Sequence, residues 1–412
     1  MKVLIVTTYG FDPAFPSRPE QIQARALIRR GHTVFAHEYR DQRYVGQARA
    51  WDWLADGIAV HRAPTLGFVA PTALLRLLVA TRPDVIHLHH LRSLLGYQTV
   101  FVARRLGIPT VLTVHGLLHD GDLVADRERP LEAPLRYGNL LMTPAQLVAR
   151  LVRGAHPRRA VRNYLIHAPL LHVDHVIALS RAERDLLARL GADPQRISVL
   201  PNALDLDAYP HGRNGLTPPV DAPTILFIGQ LVPRKGFDLL ARALPAVFAA
   251  VPKARCIIVS HNQAGAPLLD DLLTAGGVRP QVELRGRVSE DEKVRLLREA
   301  AVVVAPSRYE GFGIPLIEAL LAEAPVVTTD VMAGNEVISH EQTGLLTPYG
   351  DVNALATAII RLLRDPALGQ RMARAGRQEA LARYGADRLA ADLEQVYGRL
   401  SNTMPPMSPR TK

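Results

Sequence analysis

The sequence predicts an α/β protein of two domains, each a doubly wound parallel sheet. Three observations lead there. The chain has 412 residues, more than the roughly 250 to 300 at which single hydrophobic cores stop growing. Short apolar runs suited to buried strands alternate with helix-length amphipathic stretches, the pattern of parallel sheets. That alternation runs down once, breaks at a stretch dotted with proline and glycine, and begins again.

The first half opens with an apolar run over 3–6, a loop to Pro19, and a helical pattern through Ile22, Ala26 and Ile28 that stops at Gly31. Further strands are expected over 33–36, 84–87, 110–114 and 173–179. Residues 119–168, rich in Arg and Leu with scattered Pro, interrupt the rhythm. They suit an acceptor lid, a membrane-contacting face or an ordinary surface helix, with Leu147, Leu151 and Val152 set among Arg150, Arg153, Arg158 and Arg159. Ser180 followed three residues later by Glu183 is a capping box opening a helix that closes at Gly191. The first domain is therefore placed at 1–200.

Pro210, Gly212, Gly215, Pro218 and Pro219 mark 201–223 as the linker. The second domain, 224–384, should carry strands over 224–228, 255–260, 281–284, 302–305 and 326–328, with helices over 237–250 and 315–321. Beyond Asp351 the pattern is helical, with Asp365 and Pro366 as N-cap and first-turn proline. A last helix near 385–400 is expected to pack back onto the first domain, ahead of a disordered tail at 401–412.

Composition sets the class. Hydrophobic residues make up 48% and charged residues 21%, ordinary values for a soluble globular protein. The single cysteine, Cys256, excludes a disulfide framework and a cysteine-based zinc cluster, and its apolar surroundings predict a buried, inert thiol. No apolar run has the length of a membrane helix or a signal peptide's apolar region, so a cytoplasmic protein is expected. The net charge is +10, and only five of the 49 basic residues are lysine: Lys2, Lys235, Lys253, Lys293 and Lys412. Such charge suits either a solvated surface or attraction to an anionic membrane surface; no recognition module points to nucleic acid.

The chemistry concentrates in 309–319, where Glu310 and Glu318 lie eight positions apart. Gly311 and Gly313 leave backbone amides uncovered, and Pro315 suits the first helical position, so an anion site is expected at a helix N-terminus. Glu318 is placed in the first turn, where an ionised carboxylate can clamp the two hydroxyls of a ribose. A second group, Gly229 and Gln230 followed by Arg234 and Lys235, lies just beyond the carboxyl end of the domain's first strand, where open α/β sheets bind ligands. Two cations there suit a diphosphate leaving group, whose charge grows as its bond to a sugar breaks.

Taken in order, these residues resemble the retaining glycosyltransferases of the GT-B fold, family 4, also described as glycosyl transferases group 1. The resemblance spans nearly the whole chain. It includes Arg30 to Val34; Asp84 to His87 with His89; Thr113 to Gly116; Pro201, Asn202 and Asp205; Arg234 to Gly236; Glu310 to Glu318; Gly334 to Glu336; and Thr343 to Leu346. It implies two Rossmann-like domains facing a central cleft, the first binding a hydroxyl acceptor and the second a nucleoside diphosphate sugar.

The family's roles carry over by position. Glu310 and the amides of Gly311, Phe312, Gly313 and Ile314 would hold the donor sugar; Glu318 the ribose; Arg234 and Lys235 the diphosphate. Gly229, Gln230, Leu316 and Ile317 would complete the donor site. His115 would approach the transferred sugar, and the loop around Gly10 would lie near the diphosphate and acceptor. Phe15, Pro16, Ser17 and Arg18 stand where many members have paired glycines, Gln230 where many have Arg, and Ala203 where a Gly is usual.

No metal and no cofactor are expected, the nucleotide sugar being a substrate. His87, His89 and His90 look like a metal cluster, but a strand leaves at most His87 and His89 on one face. Asp205, Leu206 and Asp207 spell the Asp-x-Asp of metal-dependent glycosyltransferases, but in the linker. Two rival classes stay open: a nicotinamide-dependent oxidoreductase, although no Gly-x-Gly-x-x-Gly follows residues 3–6, and a non-catalytic protein binding a membrane surface.

Overall fold

The computed structural model describes residues 1–7, 11, 17–40, 51–53, 56–64, 71–90, 94–115, 142–210, 212–213, 222–308 and 310–403. The chain divides into two compact units, one of Met1–Leu204 with Gly385–Lys412 and the other Asp205–Tyr384.

The first unit is built on an eight-stranded sheet ordered β3-β4-β2-β1-β5-β6-β7-β8. Its elements are β1 (Lys2–Thr7), α1 (Pro19–Arg29), β2 (Thr33–Arg40), β3 (Trp51–Trp53), β4 (Ala59–Pro64), α2 (Pro71–Thr81), β5 (Val85–His89), α3 (Leu94–Leu106) and β6 (Thr110–Thr113), then α4 (Pro144–Val152), α5 (Pro157–His172), β7 (His175–Ala178), α6 (Arg181–Arg189) and β8 (Ile197–Val199). All neighbours run parallel except β3 on β4. Residues 3–7 of β1 and all of β5 are buried, which is why these strands read as continuous apolar runs rather than alternating ones. At the start of α6, Ser180 Oγ accepts from the Glu183 N–H at 3.1 Å. The Glu183 carboxylate reaches one residue further back than a capping box requires, accepting from Leu179 N–H at 2.7 Å.

The last helix, α14 (Ala386–Thr403), closes this unit's core: Leu389, Ala390, Leu393, Val396 and Tyr397 are buried in one cluster with Val3, Ile22 and Leu27. Its Glu394 accepts from Arg30 and meets His32 at 2.7 Å. Residues 404–412 of the expected tail lie outside the described residues.

The second unit is a six-stranded parallel sheet ordered β11-β10-β9-β12-β13-β14. It comprises β9 (Thr224–Ile228), α7 (Phe237–Ala250), β10 (Arg255–Val259), α8 (Ala266–Ala275), β11 (Val282–Arg285), α9 (Glu290–Glu299), β12 (Val302–Ala305) and α10 (Ile314–Leu321), followed by β13 (Val326–Thr329), α11 (Ala333–Val337), β14 (Leu345–Thr347), α12 (Val352–Arg364) and α13 (Pro366–Arg383). Numbered within the unit, the order is 3-2-1-4-5-6, so the chain reverses direction of winding between β9 and β12, and the crevice at their carboxyl ends is where such sheets bind ligands. Cys256 is buried in β10, and burial pushes its thiol up, out of reach of ionisation.

Within the segment expected as a linker, residues 205–210 and 212–213 are docked rather than loose. Asp205 caps a 3-10 turn, Leu206–Ala208, its carboxylate accepting from Asp207 N–H at 3.2 Å; this gives the Asp-x-Asp spelling a structural role. Tyr209 is 4% exposed, its carbonyl accepts from Arg377 at 2.9 Å, and the buried Arg213 donates to the Ala300 carbonyl. These contacts, invisible in local composition, draw the division to Leu204. Among the described residues no helix is long and apolar enough to cross a membrane.

Candidate functional site

The switch point of the second unit brings Lys235 together with Glu310, with Arg234 on the same turn as Lys235. After β9 the chain passes Gly229 and Gln230 into a 3-10 turn, Pro233–Lys235, closed by Gly236 at φ +69°. A Cβ on Gly236 would stand 1.7 Å from the Pro306 carbonyl oxygen. Only glycine lets this turn lie against the end of β12. The turn is tied there: the Arg308 N–H donates to the Arg234 carbonyl at 2.8 Å, and the Arg308 side chain pairs with the buried Asp238 at 2.7 Å.

Lys235 forms an ion pair with Glu310, both side chains 13% exposed. Arg234 donates through Nη2 to Gln230 Oε1 at 3.2 Å, while its Nη1 is buried without a hydrogen-bond partner. A pocket between β9 and β12 is lined by Phe227, Lys235, Ser307, Glu310, Thr328 and Gly334 among others.

The helix N-terminus is as expected in kind. Gly313, at φ +85°, is the N-cap of α10, and no side chain caps it. Among the described residues no acceptor meets the N–H groups of Gly311, Phe312, Gly313 or Ile314, whereas those of Leu316 and Ile317 bond back to the Gly313 carbonyl at 2.9 and 3.1 Å. Phe312 packs edge-on against Tyr384, ring centroids 5.8 Å apart, which fixes the loop.

Glu318 departs from expectation. The helix begins at Ile314, one residue ahead of Pro315, so Glu318 is its fifth residue, beyond the first turn. Its partners are side chains: Lys293 Nζ donates to Glu318 Oε1 at 2.6 Å, and the Tyr209 hydroxyl bonds to the same carboxylate. Burial raises the carboxyl's pKa, and Lys293 opposes this. Burial by itself would lower the Lys293 pKa, yet Glu318 and Glu290 together leave it raised. Tyr209 is pushed up by burial and by Glu318, so its hydroxyl stays a donor. Sequence reading missed Lys293 and Tyr209. The one signal at Lys293 was its rarity, one of five lysines among 49 basic residues.

The first unit holds a separate histidine cluster at the carboxyl ends of β5 and β6. His115 Nε2 meets His89 Nδ1 at 2.7 Å, and its Nδ1 lies 3.4 Å from the Asn202 amide. His90 bonds to the buried Glu20 at 3.0 Å. His90 and His115 both have left-handed backbone, φ 67° and 52°, strain that tends to persist at functional positions. Burial, then the neighbouring His90 and His89, holds His115 well below the usual imidazole range, so it is neutral. Burial raises Glu20, but His90 and His115 outweigh it and bring the carboxyl down to about 2.

Ligand atoms of Glu20, His89 and His115 lie within 4.8 Å of one another, a spacing a cation could use. Glu20 and both nitrogens of His115 are engaged in hydrogen bonds, and His89 Nε2 is the nitrogen left unpartnered. His87 takes no part: it bonds Tyr397 at 2.6 Å and Thr113 at 2.7 Å. Gly10 lies outside the described residues. Ala203 is absent from the left-handed residues, consistent with the loss of its usual glycine.

A family profile described as Glycosyltransferase Family 4 matches residues 23–208, and one described as Glycosyl transferases group 1 matches residues 222–365. A phosphatidyl-myo-inositol mannosyltransferase of Mycobacterium leprae is 34% identical over 219 residues, covering 52% of this chain and 56% of the relative. The match thus spans little more than half of that relative's length. Among solved structures, a sucrose-phosphate synthase of Thermosynechococcus elongatus aligns at TM-score 0.72 and 20% identity, covering 97% of this chain and 99% of that one. HepE of Anabaena, solved with UDP-glucose, aligns at TM-score 0.68 and 20% identity, covering 97% and 100%. The two family profiles, over residues 23–208 and 222–365, make the chain a member of glycosyltransferase family 4, while the solved structures share its fold of two doubly wound sheets.

Proposed function

We propose that this chain transfers a hexose-type sugar from a nucleoside diphosphate to a hydroxyl acceptor, with retention at the anomeric carbon and without a metal ion. The observation that carries the reading is a guanidinium nitrogen of Arg234, buried and unpartnered, beside Lys235 and the uncapped start of α10. A diphosphate supplies the missing acceptors. Lys235 spends one of its three N–H bonds on Glu310 and has two to give. The UDP-glucose bound by HepE supports a donor of this class.

Glu310 and the free amides of 311–314 hold the sugar, while Arg234 and Lys235 take up the negative charge that develops on the leaving phosphate oxygen. One good donor of this sort contributes about 3 to 4 kcal/mol at the transition state. The acceptor hydroxyl forms its bond to the anomeric carbon on the face the diphosphate leaves, and its proton passes to the departing phosphate oxygen. Neither glutamate acts as a glycosidase carboxylate, since both serve the donor. His115, held neutral, contacts the transferred sugar.

Glu310→Ala should abolish transfer with the fold intact by circular dichroism; full activity would defeat the assignment. Chelation with EDTA should leave the rate unchanged, and activity lost to EDTA and restored by a divalent ion would overturn metal independence. The acceptor is a glycolipid or polysaccharide precursor or a small molecule, and attraction of the first unit to an anionic membrane surface would present the lipid-linked kind. Helix α4 buries none of its residues and leaves Val148 and Val152 exposed beside Arg153, with Leu147 and Leu151 half-buried. Vesicle binding insensitive to anionic lipid content would end that part of the reading.

A further inference from the structure

We propose that Lys293 is a positioning residue for the nucleotide: it holds the Glu318 carboxylate ionised and aimed, with lone pairs left for the two ribose hydroxyls. This rests on reading Glu318 as the ribose ligand. The geometry is that of a bridge. Lys293 Nζ lies 2.6 Å from Glu318 Oε1 and 2.6 Å from Glu290 Oε2. Lys293 and Glu318 are 15% and 14% exposed, whereas Glu290, at 60%, sits at the rim. Tyr209 closes the other side with its hydroxyl.

Among the described residues Lys293 is the cation that pairs with Glu318; on the same helix Arg295 pairs with Glu292 and Glu299, and Arg298 lies by Arg377. On α13, Arg374 lies 3.6 Å from Glu323 and Arg377 donates to the Leu321 carbonyl, both at the far end of α10. Helix α11 carries Glu336, and β12 and β13 carry no titratable side chain. Lys293, ahead of the Tyr209 hydroxyl, therefore opposes the burial of this carboxylate.

A buried carboxylate without a countercharge takes up a proton. The protonated acid offers fewer acceptor sites and presents a donor of its own, so it cannot clamp two hydroxyls. An ionised carboxylate has about four lone-pair positions. With Lys293 on one and Tyr209 on another, two remain, the number a vicinal diol needs. The spacing of the ion pair across α9 and α10 fixes which two.

The test is isothermal calorimetry of the full chain with UDP and with GDP at pH 8 and pH 6. Wild-type affinity for whichever nucleotide binds should change no more than about threefold over this range, the fall at pH 6 coming from protonation of the nucleotide's own terminal phosphate. Lys293→Met should bind about threefold more weakly at pH 8 and about thirtyfold more weakly at pH 6, because protonation of Glu318 now competes with the ribose. Lys293→Arg, which keeps the charge, should restore the wild-type profile. A Lys293→Met affinity equal to wild type, a loss identical at both pH values, or a Lys293→Arg protein as pH-sensitive as the Met variant would each overturn the inference. Should Lys293→Met fail to fold, Lys293→Gln carries the same comparison. Glu318→Gln separates the two readings. Wild-type affinity in that variant would defeat the ribose assignment itself; weakened binding there with a normal Lys293→Met would defeat only the role of Lys293.

Discussion

Replacing Gly236 with alanine tests whether the tight turn before α7 is what holds the cationic pair in place. Two penalties add. An L-residue at φ +69° pays about 1–2 kcal/mol for the left-handed backbone. The new Cβ must also move from 1.7 Å to at least 3.0 Å from the Pro306 carbonyl oxygen, and forcing an atom into such a packed position costs about 1–3 kcal/mol. The sum is about 2–5 kcal/mol. Gly277 is a built-in control, for it has the same φ of +69° and nothing within 4 Å of its would-be Cβ. Gly277→Ala should therefore lose only the first penalty. Urea unfolding followed by circular dichroism, taking the transition that shifts with bound nucleotide as the second unit's, measures both. Because Arg308 bonds the Arg234 carbonyl across this contact, Gly236→Ala should also weaken UDP or GDP binding by about tenfold or more, and Gly277→Ala should not. Equal destabilisation of the two variants, or a Gly236→Ala protein with intact affinity, would refute the argument.

Three more outcomes follow from the same geometry. Arg234→Met should leave folding unchanged and weaken nucleotide binding by about ten- to a hundredfold, since a charge-assisted contact to phosphate contributes about 1.5–3 kcal/mol; calorimetry decides it. Tyr397→Phe strips the hydroxyl that meets His87 at 2.6 Å and Gln23 at 3.4 Å, so the first unit should lose about 1–3 kcal/mol in urea unfolding. Stability of that unit should also fall as pH drops below 6.5. Burial, aided by His61, holds His37 neutral down to about 4, and burial, aided by His175, holds His87 down to about 3, while in the unfolded chain both titrate near 6.5. The unfolded state then binds more protons, so stability declines with falling pH, by up to about 3 kcal/mol per pH unit for two such groups. A urea midpoint flat from pH 7 to pH 5 would contradict it.

Much of the fold was legible because parallel strands buried on both faces announce themselves. The runs at 3–6, 84–87, 224–228 and 302–305 became β1, β5, β9 and β12, the strands flanking each switch point. The three-residue strands β3, β8 and β14 were too short to leave a pattern. The docked segment after Leu204 was hidden for another reason: its proline and glycine content speaks of turns, while its attachment depends on Tyr209 and Arg213 finding partners far along the chain. The site follows the same division. Glu310, Glu318, Arg234 and Lys235 could be named from spacing and from the family resemblance. That Lys235 pairs with Glu310, 75 residues away, and Glu318 with Lys293, 25 residues away, is set by the winding of the sheet, which no local window contains.

The return of α14 to the first unit has a consequence for how the molecule is made. Residues 205–384 form one continuous stretch, so that half can complete its sheet as soon as it has left the ribosome. The half that is translated first cannot. Val3, Ile22 and Leu27 stay without their final cover until Leu393 and Tyr397 have been synthesised, and through that interval the nascent amino-terminal half carries an open apolar seam.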